Sequence, residues 1–187
     1  GAVDPTPTIA MVGLVEDASH VTTQWFKDVG DAVILLGASN DTGDSLEGLG
    51  GSAYLQVLHD MKNGRPPRCD LVAELALNTT LLSLIQSGLV KSAHDCSEGG
   101  LAVALAECCF SELTARNMPR VIGAEVDIAA TDSGNHDRLD ALLFGETTGR
   151  VIITTTELDS VKAVERAKLM GVPAQYIGTV GGASLKI

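Results

Sequence analysis

Residues 98–108 most constrain what this chain can fold into. Glu98-Gly99-Gly100 opens a helical stretch in which Leu101, Ala104, Leu105 and Cys108 share one face, while Val103 and Ala106 lie elsewhere on its circumference. A helix apolar on nearly all sides belongs at the centre of a fold, so other layers must cover it. Its entry is equally constraining. In Ser92-Ala93-His94-Asp95-Cys96-Ser97-Glu98-Gly99-Gly100-Leu101, two adjacent glycines expose backbone N–H groups at a helix start near Glu98. Those groups have no intrahelical partner and carry the positive end of the helix dipole. Such a start can hold an anion, most often a phosphate. It also suits close packing against another element, where a side chain would not fit. Both readings stand from the residues alone. Ser97 is placed to cap the helix, and His94 and Asp95 can face the same mouth.

The rest of the chain supplies the layers. Ile9 to Asp17 is an apolar run that predicts a buried strand ending in two acids, with Ala32–Gly37 as a second β-rich run that pairs with it. Residues 38–51 are rich in Gly, Ser, Asp and Asn and predict a loop. Gly48-Leu49-Gly50-Gly51-Ser52 then leads into a helix carrying Tyr54, Leu55, Leu58 and Met61. This second glycine-paired helix start repeats the logic of the first. Here Asp41, Asp44 and Glu47 oppose an anion unless a metal intervenes, which favours packing.

After Gly64-Arg65-Pro66-Pro67 a helix runs from about Asp70 to Ser87 and stops at Gly88, with Leu75, Leu82 and Ile85 as its core stripe. The last third alternates: a strand over 123–129, a polar loop over 131–137, a short helix with Leu139, Leu142 and Leu143, then a strand from Arg150 to Thr154. Thr156 and Asp159 form a capping box for a helix carrying Val161, Val164 and Ala167 that ends at Gly171. Tyr176–Val180 closes as a strand. The expectation is an α+β fold, a mixed β-sheet covered by helices, in a single domain over 1–187.

Charge and composition exclude several function classes. A net charge of −11 opposes non-specific nucleic-acid binding. No apolar run reaches the ~18 residues of a membrane span, and no secretory signal is visible, so no membrane role is expected and a cytoplasmic location is. Gly1-Ala2-Val3-Asp4 reads like mid-chain sequence. Aromatic residues are only 3%, so the core is aliphatic and layered rather than an aromatic-lined pocket. Cys69, Cys96, Cys108 and Cys109 fit no zinc spacing and read as free thiols of a reducing compartment.

Candidate chemistry is sparse. The histidines are His20, His59, His94 and His136, and no Ser-His-Asp or Cys-His constellation assembles from them. His94 beside Asp95 allows a general base or a loop anchor. Cys96 near a helix start allows a stabilised thiolate or a bystander thiol. Glu16, Asp17 and Glu146 end apolar runs, where they can hold Mg²⁺ beside phosphate or simply meet solvent. Phe144-Gly145-Glu146 followed by Gly149-Arg150 also fits a turn with a Glu–Arg surface pair.

Several of these stretches occur together in one known order. Thr6-Pro7-Thr8-Ile9 with Met11-Val12-Gly13-Leu14-Val15-Glu16-Asp17, then Leu49-Gly50-Gly51-Ser52, then Ser92 to Leu101, then Phe144-Gly145-Glu146 resemble the last domain of the phosphoribosylformylglycinamidine synthase family. Looser versions occur in aminoimidazole ribonucleotide synthetase, selenophosphate synthetase and thiamine-monophosphate kinase. The resemblance covers nearly the whole chain. It implies a fold like the C-terminal domain of aminoimidazole ribonucleotide synthetase and a place in purine biosynthesis. There, formylglycinamide ribonucleotide, ATP and glutamine-derived ammonia give formylglycinamidine ribonucleotide, ADP and phosphate. ATP activates the amide oxygen as an iminophosphate, and ammonia displaces the phosphate.

The resemblance further implies ATP and Mg²⁺ for the full enzyme, with no certain cofactor for this stretch. The implied partners are the remaining domains of the synthetase, a glutaminase and an accessory subunit. The family's catalytic histidine, ATP lysine and magnesium acids belong to earlier domains and match nothing here, so no catalytic and no metal residue is assigned. His94, Asp95, Ser97, Gly99 and Gly100 remain as candidate phosphate- or nucleotide-binding residues. The stretch alone is expected to be inactive, a scaffold or an auxiliary phosphate site, and able to form a homodimer. A stand-alone ATP-dependent phosphotransferase of the same architecture is the alternative.

Overall fold

The computed structural model describes residues 7–37, 46–110, 121–128 and 138–187. In chain order its strands are β1 (Ala32–Gly37), β2 (Ser92–Asp95), β3 (Ala124–Val126), β4 (Arg150–Thr155), β5 (Ala174–Val180) and β6 (Leu185–Lys186). Its helices are α1 (Ala53–His59), α2 (Leu71–Gln86), α3 (Gly100–Cys108), α4 (Leu139–Phe144) and α5 (Glu157–Leu169). The strands form one sheet in the order β2-β4-β1-β5-β3-β6. All neighbours run antiparallel except β3 and β6, which are parallel, so the sheet is mixed as expected.

β1 is the spine of this sheet, and its alternation divides the core. Val33 and Leu35 join Leu101, Ala104, Leu105 and Cys108 of α3 on one face. Ile34 and Leu36 meet Leu77 and Leu84 of α2 and Ala163 and Ala167 of α5 on the other. Helices therefore cover both faces of an aliphatic sheet. The four α3 residues expected on one face are all buried, together with Gly100.

Caps set the helix limits. The Asp70 carboxylate accepts from the N–H groups of Val72 and Ala73 to start α2, and Gly88, at φ 72°, follows its end. Thr156 accepts from the Asp159 N–H at the start of α5.

Three expectations are corrected. Residues 9–17 form no strand: both edges of β1 are already taken by β4 and β5, and Ile9, Met11, Val12 and Leu14 stand in solvent. Within α2 the buried residues are Leu77, Thr80 and Leu84, whereas Leu75 and Leu82 are exposed. That helix is apolar around its circumference, so periodicity alone did not set its phase. In α5 Ala163 and Ala167 are buried, while Val161 faces out. The 131–137 loop, His136, Asp41 and Asp44 lie outside the described residues.

Candidate functional site

β2 delivers the 92–101 stretch to the end of the sheet. Ser92 is buried and its hydroxyl lies 2.6 Å from that of Thr154, which locks β2 onto β4. Two residues on, His94 Nε2 sits 2.8 Å from Glu107 Oε2 on α3, and its Nδ1 is 3.6 Å from Asp95 Oδ1. His94 is thus an anchor between β2 and α3. Asp95 is exposed and accepts the Ser97 hydroxyl proton, which holds its carboxyl below the usual range. Cys96 is buried, and burial pushes its thiol up to about 11. A protonated thiol in that setting is no nucleophile.

The helix start differs from the expected one. α3 begins at Gly100, its cap is Gly99 at φ 79°, and no side chain caps it; Ser97 contributes only its carbonyl, which accepts the Gly100 N–H at 3.0 Å. The free N–H of Gly99 is already taken by an anion, and that anion is internal. Glu146 Oε1 accepts it at 2.9 Å and accepts the N–H of Ala53, the first residue of α1, at 2.8 Å. One carboxylate therefore joins the two glycine-paired helix starts that the sequence set apart.

The glycines around this point are there for approach. A Cβ on Gly100 would stand 2.5 Å from the Gly145 carbonyl oxygen, and one on Gly50 would stand 2.1 Å from that of Arg65. The packing reading holds for both residues. Ser52 caps α1, accepting from the Leu55 N–H and donating to the Leu49 carbonyl. The Tyr54 ring stacks on Phe144, with centroids 5.2 Å apart and planes within 13°. The stretches 49–52, 92–101 and 144–146 thus meet around a single carboxylate.

Beside this junction opens a cleft of ≈ 410 Å³ between α2, the 95–98 loop and residues 146–151. Glu74, Asp95 and Glu98 line it, as do Thr147 and Arg150. Arg150 is not the surface partner of Glu146. It is buried, and its Nη2 donates to the Gly145 carbonyl at 2.5 Å. Burial lowers its pKa. Sequence reasoning missed Thr147 and Arg150 as residues of this cleft. The available signal was a charged residue heading a fully buried β-branched strand.

No group of three or more His, Cys, Asp or Glu among the described residues is arranged to hold a metal ion. Asp17, one of the acids considered for Mg²⁺, instead caps the short turn Ala18–His20 through Ser19. Among the described residues no helix is long and apolar enough to cross a membrane.

A mixed six-stranded sheet with helices on both faces, and glycine-paired helix starts tied at its end, defines the class. The chain belongs to the family described as AIR synthase related protein, C-terminal domain, whose model matches residues 28–186. It is 41% identical over 186 residues to phosphoribosylformylglycinamidine synthase subunit PurL of Anaeromyxobacter dehalogenans, covering 98% of this chain and 23% of that protein. The PurL subunit of Gloeobacter violaceus is 41% identical over 181 residues, covering 92% of this chain and 21% of that protein. The chain therefore spans about a quarter of the length of the curated relatives it matches. Among solved structures, T. maritima PurL complexed with FGAR superposes with a TM-score of 0.66 at 17% identity, covering 87% of this chain and 26% of that one. The hydrogenase maturation protein HypE in complex with ATP gives 0.56 at 20% identity, covering 86% and 45%. These likenesses establish the fold as that of the aminoimidazole ribonucleotide synthetase C-terminal domain.

Proposed function

We propose that this chain is the last domain of an ATP-dependent carbon–nitrogen ligase. That enzyme converts formylglycinamide ribonucleotide and glutamine-derived ammonia to formylglycinamidine ribonucleotide, with ADP and phosphate as the other products. Within it the domain is a scaffold with an auxiliary phosphate- or nucleotide-binding role for His94, Asp95, Ser97, Gly99 and Gly100, of which Asp95 and Ser97 line the cleft. The observation that carries this reading is the convergence of three distant stretches on Glu146, because those stretches are the ones that resemble the synthase. Similarity to PurL over 98% of the chain supports it.

The division of labour follows from the residues present. His94 is bonded to Glu107, and the Cys96 thiol is kept protonated by burial. Neither moves a proton or attacks a substrate. The domain instead fixes where α1 and α3 begin, through the Glu146 carboxylate. ATP and Mg²⁺ act with the remaining domains, a glutaminase and an accessory subunit supply ammonia and assembly, and the enzyme works in the cytoplasm.

A chimera tests the reading. The corresponding domain of a PurL relative is replaced by this chain, and ammonia-dependent ADP formation is followed with formylglycinamide ribonucleotide. Activity within about tenfold of the parent is expected, whereas a soluble but inactive chimera contradicts the assignment.

A further inference from the structure

The run from Thr8 to Val15 has the sequence of a buried strand and the surroundings of none. It carries no charge. On an extended chain Ile9, Met11 and Val15 fall on one side and Ala10, Val12 and Leu14 on the other, so both sides are apolar. A strand of that kind belongs inside a layered fold, covered from above and below. Here residues 7–19 are exposed throughout, and a Cβ on Gly13 would meet nothing within 4 Å. The backbone is as bare as the side chains: no N–H or C=O of residues 9–15 is hydrogen-bonded to a described residue. A row of unpaired backbone groups between apolar side chains is what the open edge of a sheet pairs with.

Among the described residues this chain has no such edge to give. β1 is flanked by β4 and β5, and the outer strands are β2 and β6. Thr23 is already bridged to Ser92 on the outer side of β2, its carbonyl accepting the Ala93 N–H at 3.2 Å. β6 is two residues long. A second copy offers the same two edges, so it is not the partner. The extent of the likenesses points elsewhere. The family model begins at residue 28, beyond the run, whereas the likeness to the A. dehalogenans PurL subunit takes in 98% of the chain, the run included. The run thus goes with PurL and not with the domain shared by the wider family. This chain covers 23% of that subunit, which leaves the remainder to hold the edge.

We propose that residues 8–15 are a strand of a composite sheet: they pair along the open edge of a β-sheet in another domain of the ligase and are covered there on both sides. This rests on the ligase reading. The turn Ala18–His20, capped by Asp17, then carries the chain from that sheet to Thr23 on the edge of this one.

Amide hydrogen exchange tests this, read residue by residue in the isolated chain and in the chimera described above. In the dilute isolated chain residues 9–15 should exchange as freely as unstructured peptide. In the chimera at least alternate amides across 9–15 should slow by about a hundredfold or more, since pairing along one edge holds every second N–H. Val12→Asp, at a fully exposed position, should leave the thermal midpoint of the isolated chain unchanged and return 9–15 to free exchange in the chimera. Free exchange across 9–15 in an active chimera overturns the inference and leaves the ligase reading standing. Slowed exchange in a soluble but inactive chimera does the reverse. Equal slowing in the isolated chain, dilute or concentrated, overturns the assignment to another domain, and slowing that survives Val12→Asp overturns the covering of that side.

Discussion

At Glu146 one carboxylate oxygen receives two backbone N–H groups from separate helices. Glu146→Ala leaves the Ala53 and Gly99 donors without an acceptor. The expected cost is about 2–3 kcal/mol, measured by urea unfolding, with Glu146→Gln costing less because an oxygen remains. Gly100→Ala should cost at least as much as Glu146→Gln, since its Cβ meets the Gly145 carbonyl at 2.5 Å and its φ is 69°. Gly51→Ala has a similar φ of 72° but nothing within 4 Å, so only backbone strain of about 1–2 kcal/mol is expected there. Protonation follows the same local logic. Burial raises the Cys96 thiol to about 11, so its contribution to stability is full below the unfolded thiol range near pH 8.5 and declines as pH rises toward 11. Asp95 has the opposite sign: the Ser97 hydroxyl lowers its pKa, so its contribution holds above about pH 4 and is lost as pH falls further. Ser97→Ala should therefore reduce the acid loss of stability and leave the alkaline loss unchanged. A thiol reagent should meet Cys69 quickly, as the exposed cysteine, and Cys96, Cys108 and Cys109 only as the chain opens.

Among the elements, legibility tracked how many independent signals agreed. α2 was readable at both ends because Asp70 and Gly88 are unambiguous caps, and β4 because β-branched residues dominate it. Asp70→Ala should destabilise the chain by about 1 kcal/mol in urea unfolding, the usual value of an N-cap. The face of α2 was not readable, since apolar side chains surround the helix and only the sheet decides which sink. β2 escaped notice as a strand for a related reason: Ser92-Ala93-His94-Asp95 is polar, and its place is set by pairing with β4. The candidate site was legible in part. Gly99 and Gly100 announced a tight helix start, but its occupant is Glu146, which arrives from more than forty residues further along the chain. No local pattern carries that distance. Arg150 was hidden likewise, because a sequence does not say whether the first residue of a strand faces solvent or a helix.

Across the whole molecule, the exposed stretch from Ile9 to Val15 stands out. Met11, Val12 and Leu14 are each more than four-fifths exposed, and no charge interrupts the run. Surface of this kind tends to be covered by association. The isolated chain should therefore form dimers, and its charge of −11 should make them weaker at low salt than at moderate salt. Sedimentation across a salt series checks this, with a monomer at every salt concentration as the contrary outcome. In the proposed ligase the same surface is one that other domains would cover. The most direct test of that account is ammonia-dependent ADP release from formylglycinamide ribonucleotide and ATP, measured in parallel on the purified chain and on a full-length PurL relative. Turnover by the relative and none by the chain is the predicted result. ADP release by the chain alone, abolished by a substitution within 92–100, would contradict the account and make it a ligase in its own right.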